Sequence, residues 1–400
     1  MNYLLWFLIS SSIVALGCGY MGWRIIPAAD LQPPWNSAAW CALIFFALLI
    51  PVTFFLQVNR IEIPGGRLLS WVTYLSMGFF SLLLTIVLAR DLGWLLVAAA
   101  QKAAALAAAL VPGDGGASAP PDPERRRLLI RSMSIGILAA AGSLTAYGFF
   151  EARRRPALVQ ISVPIATLHP DLEGIRIVQI TDIHAGLTIG RDFIERVVEQ
   201  ANELRPDIIA FTGDLVDGSV AKLRDAVAPM AGLAAPLGKY FITGNHEYYS
   251  GAEPWVEEAR RLGFTVLLNE HRVIRRGGGS LLMAGVTDHS AAQFVRSHAS
   301  DPAKAFAGAP ECDARILLAH QPKSLRAALP HRFDLQISGH THGGQFFPWN
   351  LLAAVDQPYV SGLHKHEHSW IYVSRGTGYW GPPIRIAARS EITLFTLTRG

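Results

Sequence analysis

The stretch "GIRIVQITDIHAG", residues 174–186, ends an apolar run with an aspartate and a histidine. Asp182 and His184 are two positions apart, and side chains with this spacing point to the same side of an extended segment. Both could therefore reach one point in space, as two ligands of one metal ion do. The alternative is an ordinary helix N-cap, and the stretch alone does not decide between the two.

Four more apolar runs in the second half of the chain end in polar residues, namely 207–213, 239–244, 314–320 and 334–340. Together with the first run, the side chains at these ends are Asp182, His184, Asp214, Asp217, Asn245, His246, His320, His340 and His342. Each alone is typical of a cap, a turn or a satisfied core histidine. Five such ends in succession favour one shared site, because functional residues of open α/β sheets collect beyond the carboxyl ends of the strands.

The second half of the chain alternates segments with the character of strands and of helices. Besides the five apolar runs, segments 370–376 and 391–397 are typical of strands. Helical spacing of apolar residues marks 192–204, 221–233 and 253–263. This alternation predicts an α/β fold.

The polar residues at the strand ends form a donor set for metal ions. Manganese, iron and zinc ions accept carboxylate oxygen, imidazole nitrogen and amide oxygen together. The set is large enough for two ions, with one carboxylate bridging them. Two ions about 3.5–4 Å apart can activate a water and hold a phosphate during its in-line displacement. The donor set therefore predicts a site for two divalent metal ions (Mn, Fe or Zn), a kind of site that can act on phosphate.

The ordered motifs Asp-x-His, Gly-Asp-x-x-Asp, Gly-Asn-His-Glu, a later His and Gly-His-Thr-His together resemble those of the calcineurin-like metallophosphoesterase superfamily. The resemblance covers about residues 157–400. The segments "GHTHGGQ" and "SRGTG", with the apolar N-terminal half, are similar to the membrane-anchored bacterial branch. The fold that this resemblance implies is a four-layer α/β/β/α sandwich of two packed mixed sheets flanked by helices.

The resemblance also implies a role for each motif residue. One metal ion would be held by Asp182, His184, Asp214 and His342. The other would be held by Asp214, Asn245, His320 and His340, with Asp214 as the bridge. A metal-bridging hydroxide would attack the phosphorus of a phosphate ester or phosphoanhydride. The rival function is a non-catalytic, membrane-tethered metal-binding scaffold, but no motif residue is missing from the set.

Four further residues are candidates for direct work on the substrate. The resemblance makes His246 a general acid or transition-state hydrogen-bond donor, oriented by Asp217. The alternatives are a structural turn residue for His246 and a helix N-cap for Asp217. Arg375 and Arg385 are weaker candidates for contacts with a substrate phosphate, since surface arginines are common.

The first half of the chain has the composition of a membrane region. Uncharged apolar runs of about the length of a bilayer span cover 3–23, 39–58, 68–89 and 132–150. The alanine-rich run 92–111 either spans the membrane or lies in its interface. We therefore predict a transmembrane region of four to five helices over residues 1–155, followed by a metallophosphoesterase catalytic domain over residues 156–400.

The charges around the last span predict the side on which the catalytic domain lies. A Gly/Pro linker at 112–124 ends in "RRRLLIR", residues 125–131, directly before an apolar run. Arginines beside a span favour the cytoplasmic side, and the run also resembles a twin-arginine signal. Three arginines at 153–155 oppose this orientation. We predict a multi-pass protein of the bacterial inner membrane with its catalytic domain on the periplasmic or extracellular side.

Charge and cysteine content exclude other classes. Residues 1–155 hold 12 Lys/Arg and 7 Asp/Glu, whereas residues 156–400 hold 23 and 24. A near-neutral second half argues against nucleic acid as a partner, since that requires a basic face. The expected partners are the lipid bilayer and a phosphorylated substrate. By analogy with the branch, that substrate is lipid-linked, as UDP-diacylglucosamine is.

The segment that follows the last histidine pair, residues 345–368, is apolar near the expected mouth of the site. Its exposed or buried state is open: Phe346, Phe347, Trp349, Leu351 and Leu352 either pack as loop core or form a rim for an acyl chain or the bilayer surface.

Overall fold

The computed structural model describes residues 3–59, 61, 63–108 and 122–400. Over this part, the chain forms two compact units, Met1–Tyr147 and Gly148–Gly400, and each is described by itself. The predicted domain boundary at residues 155 and 156 stays a prediction, because compactness does not show which part folds on its own.

Long apolar helices build the N-terminal unit. They are α1 (Tyr3–Ile25), α2 (Trp35–Val58), α3 (Gly66–Ala108) and α4 (Pro123–Arg153), whose last residues belong to the second unit. Four helices of the described chain are long and apolar enough to cross a membrane, since a span needs about 20 residues. The predicted runs 68–89 and 92–111 lie in one continuous helix, α3, as far as the structure describes them.

The predicted linker at 112–124 lies outside the described residues up to position 121. Its last part differs from the prediction, because Pro123 already begins α4 and the arginine run 125–131 is helical. Proline suits the first turn of a helix, where its missing N–H has no helical partner. The arginines therefore lie in the first turns of α4 itself, directly before its apolar part.

A charged cluster joins two of the apolar helices. Asp91 of α3 accepts hydrogen bonds from Arg24 of α1 at 2.6 Å and from Arg90 at 2.8 Å. The Tyr20 hydroxyl donates to the same carboxylate. A charge in apolar surroundings is costly unless it is paired and hydrogen-bonded, and this cluster meets both conditions.

Two six-stranded mixed sheets form the second unit. The strands are β1 (Ala157–Ile165), β2 (Arg176–Ile180), β3 (Ile208–Phe211), β4 (Lys239–Phe241), β5 (Thr265–Val266), β6 (Glu270–Arg276), β7 (Gly279–Gly285), β8 (Ala314–Leu318), β9 (Leu335–Ser338), β10 (Gly362–His366), β11 (Ser369–Val373) and β12 (Glu391–Arg399). The first sheet has the order β1-β12-β2-β3-β4-β5, and the second has the order β10-β11-β9-β8-β7-β6. Strands β2 to β5 are parallel in the first sheet, as are β7, β8, β9 and β11 in the second.

The helices of the second unit that follow α4 are α5 (Arg191–Glu203), α6 (Val220–Val227), α7 (Asn245–Ser250), α8 (Ala252–Arg261), α9 (Pro302–Phe306), α10 (Leu325–Ala328) and α11 (Trp349–Asp356). Several of them cover the outer faces of the two sheets. Val197 of α5 and Trp255 of α8 pack with Phe211 of the first sheet. Phe306 of α9 packs in the cluster that holds Leu317 of the second sheet.

The inner faces of the two sheets share one apolar core. Ile177 and Ile208 of the first sheet belong to the same buried cluster as Ile316 and Ile337 of the second. Buried parallel strands are apolar on both faces, which explains why "IIAF" of β3 reads as an unbroken apolar run. The four-layer α/β/β/α sandwich that the sequence predicted is therefore confirmed.

Candidate metal centre

Neighbouring parallel strands bring the predicted polar residues to one end of the sandwich. Strands β2, β3 and β4 lie side by side in the first sheet, and β8 and β9 are neighbours in the second. Their carboxyl ends carry Asp182, His184, Asp214, Asp217, Asn245, His246, His320, His340 and His342, and the structure brings all of them together. Parallel pairing is the cause, because it puts the carboxyl ends of adjacent strands at the same edge.

Several of these residues have a strained backbone. Asp182, His184, Asp214, His340 and His342 have φ values of 53°, 54°, 56°, 72° and 53°. Residues other than glycine rarely adopt such left-handed conformations, and each costs about 1–3 kcal/mol. Such strain persists only where the surrounding structure enforces it, and it is typical of functional sites. The tight bends turn successive side chains into one space beyond the strands.

Close backbone approach requires glycine beside these bends. Gly213 has a φ of 92°, and a Cβ atom there would lie 2.5 Å from the backbone nitrogen of Gly244. A Cβ atom at Gly244 would collide with the Asp214 carboxylate, and one at Gly339 would collide with that of Asp182. The glycines of the Gly-Asp, Gly-Asn-His and Gly-His-Thr-His motifs thus leave room for the site's carboxylates and backbone.

The first cluster of ligand atoms contains Asp182, His184 and His342. The Nε2 atoms of His184 and His342 lie 3.0 Å apart. Asp182 Oδ1 is 3.5 Å from His342 Nε2, and the three side chains are buried. Their ligand atoms lie within 4.8 Å of one another, which is close enough for one ion to contact all three.

The second cluster contains Asp214, Asn245, His320 and His340. Asn245 Oδ1 lies 3.2 Å from His320 Nε2 and 3.0 Å from His340 Nδ1. Asp214 Oδ2 lies 3.1 Å from His320 Nε2. The other ring nitrogen of His320 lies 2.7 Å from the Thr212 carbonyl, which can only accept. Nδ1 therefore carries the proton of the neutral ring, and Nε2 is the nitrogen that could bind a metal ion.

Asp214 lies between the two clusters. Its Oδ2 atom is 3.1 Å from His320 of the second cluster and 3.7 Å from His184 of the first. The two groups together offer carboxylate, amide and imidazole donors with no lysine or arginine among them. This donor chemistry fits two divalent ions with a shared carboxylate.

Asp217 links a ligand of the first cluster to His246. Its Oδ1 atom lies 3.1 Å from His184 Nδ1 and 2.5 Å from His246 Nδ1. Burial alone would lower the pKa of His246, but the carboxylates of Asp214 and Asp217 raise it to about 9. Burial acts to raise the pKa of Asp217, and His184 and His246 more than offset that effect. The pair therefore consists of a protonated imidazole and an ionised carboxylate at neutral pH.

Glu247 is a buried carboxylate for which the sequence predicted no role beyond its place in the Gly-Asn-His-Glu motif. It accepts hydrogen bonds from the backbone N–H groups of Gly244 at 2.7 Å, Asp214 at 2.9 Å and Leu215 at 2.7 Å. Burial and the nearby charge of Asp214 raise its pKa to about 8 despite these donors. Glu247 thus holds the β3 and β4 ends against each other. Its place in the Gly-Asn-His-Glu motif was the signal that could have found it.

The two predicted substrate arginines lie in different surroundings. Arg375 is partly exposed, and its guanidinium is 3.5 Å from Glu391. Arg385 has 0% exposure; it donates to the carbonyls of Gly378 and Ala388 and approaches His342 Nδ1 at 3.1 Å. The structure thus places the Arg385 guanidinium beside the metal-ligand candidate His342, and contact of either arginine with a substrate phosphate stays a prediction.

Aromatic side chains surround His246 at the surface. The His246 ring centroid lies 4.9 Å from that of Tyr249 and 5.6 Å from that of Trp380. Phe294 packs on Tyr249 at 5.3 Å, and all three aromatic residues are exposed. The sequence did not predict this aromatic rim, since its members come from three separate loops or short helices.

A two-sheet sandwich with clustered aspartate, asparagine and histidine at its strand ends defines a metal-dependent phosphohydrolase. Residues 175–344 match the family model for the calcineurin-like phosphoesterase domain. A Danio rerio protein described as "Transmembrane protein with metallophosphoesterase domain" is 39% identical over 291 residues, 68% of this chain and 67% of that protein. The chain belongs to the calcineurin-like metallophosphoesterase family.

Two bacterial relatives extend the comparison. An uncharacterized metallophosphoesterase of Helicobacter pylori is 39% identical over 252 residues, 62% of this chain and 66% of that protein. The uncharacterized metallophosphoesterase YkuE of Bacillus subtilis is 32% identical over 278 residues, 64% of this chain and 93% of that protein. The chain thus spans about two thirds of the Danio rerio and Helicobacter pylori proteins. Relatives described as transmembrane proteins and the four apolar helices agree on membrane association.

Proposed function

We propose that this protein is a membrane-anchored phosphoesterase with two metal ions that hydrolyses a phosphate ester or phosphoanhydride of a lipid-linked substrate. The observation that carries the proposal is the position of Asp214 between two clusters of ligand atoms. One cluster alone would suit a structural ion, but two clusters with a shared carboxylate suit phosphoryl transfer.

The ligand roles follow the two clusters. The residues that would hold the first ion are Asp182, His184, Asp214 and His342, and those for the second are Asp214, Asn245, His320 and His340. When bound, such ions supply an activated water and neutralise charge on the phosphate. Asp217 fixes the tautomer of His184 by accepting from its Nδ1–H, and Arg385 holds the backbone of His342 by donating to its carbonyl at 3.2 Å.

His246 acts as the proton donor to the leaving-group oxygen. Its Nδ1–H donates to Asp217, so the ring is held in one orientation while its second nitrogen stays available. The Asp217 carboxylate beside the ring raises the pKa of His246, which favours the protonated form that a general acid requires. The exposed aromatic rim beside His246 suits a leaving group with an apolar part.

Membrane anchoring supports the choice of substrate and the topology. The second unit, Gly148–Gly400, is the catalytic unit, and it follows directly on the candidate span α4. A catalytic unit attached in this way meets membrane-bound substrates at high local concentration. The arginine run 125–131 at the start of α4 favours the cytoplasmic side for that end. We therefore place the catalytic unit on the periplasmic or extracellular side of a bacterial inner membrane.

The test is a substrate screen with the full chain in lipid nanodiscs and saturating Mn²⁺. Lipid phosphates and nucleotide–lipid diphosphates should be hydrolysed faster than their water-soluble counterparts, and the Asp214→Ala variant should release no phosphate. Stoichiometric metal binding without turnover of any phosphate compound would instead identify a metal-binding scaffold.

A further inference from the structure

A short apolar segment stands out on the surface of the catalytic unit. This segment, residues 347–355, contains Phe347, Leu351, Leu352 and Val355, all of which are exposed. Val355 has 86% of its surface accessible and Leu352 has 57%. No residue of α11 is buried. Scattered apolar residues are normal on protein surfaces, but a contiguous group marks a surface that contacts something apolar.

The segment adjoins the mouth of the metal centre. It begins a few residues after His342, and Gln345 connects it to the aromatic rim. The Gln345 side chain donates to the Trp380 carbonyl at 3.0 Å and accepts from the Trp380 N–H at 2.7 Å. Because the Trp380 ring packs near His246, Gln345 links the start of the segment to the aromatic residue beside the proton donor.

The same region is attached to the end of a candidate membrane span. Residues 148–153 of α4 belong to the catalytic unit, and the Gly148 carbonyl accepts from the Arg385 N–H at 3.0 Å. The next residue, Ile386, donates to the Gln345 carbonyl at 2.8 Å. Only residues 154–156 separate α4 from β1, and three residues span at most about 10 Å. The end of α4 is thus held firmly beside the backbone that leads into the segment.

The sequence at the end of α4 is typical of a membrane–water interface. Tyr147, Phe149 and Phe150 precede three arginines at 153–155. Aromatic residues concentrate at the headgroup level, and arginines lie just beyond the apolar core. The bilayer surface reached by α4 would therefore lie at the level of residues 147–155, close to Gln345 and the segment that follows it.

We propose that residues 347–355 insert their apolar side chains into the surface of the bilayer that α4 enters, and so hold the mouth of the metal centre against the membrane. The occupant of this surface is the lipid bilayer. Membrane insertion of this segment depends on anchoring by α4, which is part of the proposed function, and does not depend on which phosphate compound is hydrolysed. A second copy of the chain would cover the segment with protein instead.

The first experiment measures lipid contact directly in the full chain, reconstituted in vesicles of phosphatidylethanolamine and phosphatidylglycerol. Single cysteines at Leu352 and Val355, in a background with Cys18, Cys41 and Cys312 replaced by serine, carry an environment-sensitive fluorophore. Nitroxide-labelled lipids should quench both probes by at least about half. The control is Ala303→Cys on α9. Helix α9 packs on β6, and β6 and β10 are the two opposite edge strands of the second sheet.

The control probe should lose little fluorescence. Equal quenching at all three positions, or at none, would overturn the proposal. Protection from lipid together with energy transfer between labelled copies would also overturn it, because the segment would then be a contact between copies. None of these outcomes requires enzymatic activity, so the experiment separates failure of this proposal from failure of the proposed function.

The second experiment tests the consequence for substrate access. The double variant Leu351→Glu/Leu352→Glu should lower kcat/KM on a bilayer-embedded lipid phosphate at least tenfold and leave kcat/KM on a water-soluble aryl phosphate unchanged. The matched control Leu351→Met/Leu352→Met keeps the apolar character and should retain both activities. Unchanged activity of the glutamate variant on the embedded substrate would overturn the proposal, as would equal losses on both substrates.

Discussion

The helical unit and the catalytic unit place apolar and polar residues in opposite ways. Leu16 of α1 has 73% of its surface accessible, whereas Leu281 of β7 is fully buried. The catalytic unit in turn buries Asp182, Asp214 and His320 at one end of its sheets. Exposed side chains of the candidate spans need only be apolar to suit a bilayer, and the charges of the cluster around Asp91 are paired with one another. The second unit depends on particular polar atoms at particular strand ends.

The largest effect is expected where one atom serves two clusters. We predict that Asp214→Ala loses both ions and reduces phosphoesterase activity to background, because its carboxylate lies next to His320 and His184. Metal analysis of the purified full chain should find almost no bound ion. Two ions per chain in this variant would show that Asp214 is not the shared ligand.

The matched control is another carboxylate of the same site. Asp217→Asn removes a carboxylate that contacts His184 and His246 but belongs to neither of the two ligand clusters described above. Mutation of a residue that hydrogen-bonds a metal ligand typically lowers metal affinity by about 10–100-fold. At saturating Mn²⁺ this variant should therefore still bind two ions, which separates a ligand from a residue that orients one.

The next effect concerns the proton donor. His246→Asn should keep both ions but lower kcat by about 10²–10⁴-fold on substrates with poor leaving groups, the usual contribution of a general acid. An activated aryl phosphate needs less protonation, so its loss should be smaller. Equal losses on both substrates would assign His246 to charge stabilisation, and unchanged kcat would remove it from the mechanism.

The third effect concerns Glu247, whose carboxylate holds the ends of β3 and β4 together beside the metal-ligand candidates. Replacement by alanine leaves the N–H groups of Gly244, Asp214 and Leu215 without their acceptor. Each unsatisfied buried donor costs about 1–3 kcal/mol, so Glu247→Ala should lower the free energy of unfolding by about 3 kcal/mol or more. Glu247→Gln keeps one oxygen and should lose less. A melting temperature of Glu247→Ala equal to that of the unchanged protein would refute this role.

Much of the catalytic unit could be predicted from the sequence, because parallel buried strands are continuous apolar runs. Strands β2, β3, β4, β8 and β9 were all predicted as such runs with polar ends. Strand β1 was not, since exposed side chains alternate along it with half-buried and buried ones and its partner β12 is far away along the chain. Strand β6 carries four charged residues and lacks an apolar run. Its pairing with β7 depends on a turn.

The metal-ligand candidates were predictable for a similar reason, since their motifs lie at predictable strand ends. Residues that support them from elsewhere in the chain were not. The surroundings of Arg385 depend on its long-range contacts with His342 and Gly378. The aromatic rim around His246 joins Tyr249, Phe294 and Trp380 only after folding. The spacing of residues along the chain does not predict contacts between segments that are distant in sequence.

The smallest effect is expected in the helical unit, and it tests the comparison between the two units most directly. Leu16→Ala replaces an exposed apolar side chain with a smaller one, so stability should change by no more than about 0.5 kcal/mol. The same substitution at the buried Leu281 leaves a cavity between the sheets and should cost about 2–5 kcal/mol. Both full-length variants are heated in nanodiscs, and unfolding of each unit is monitored by the loss of its protease-resistant fragments. This measurement gives the change in stability caused by each substitution. A cost at Leu16 equal to that at Leu281 would mean that protein, such as a second copy of the chain, covers α1 in the membrane, and the contrast between the units would then fail.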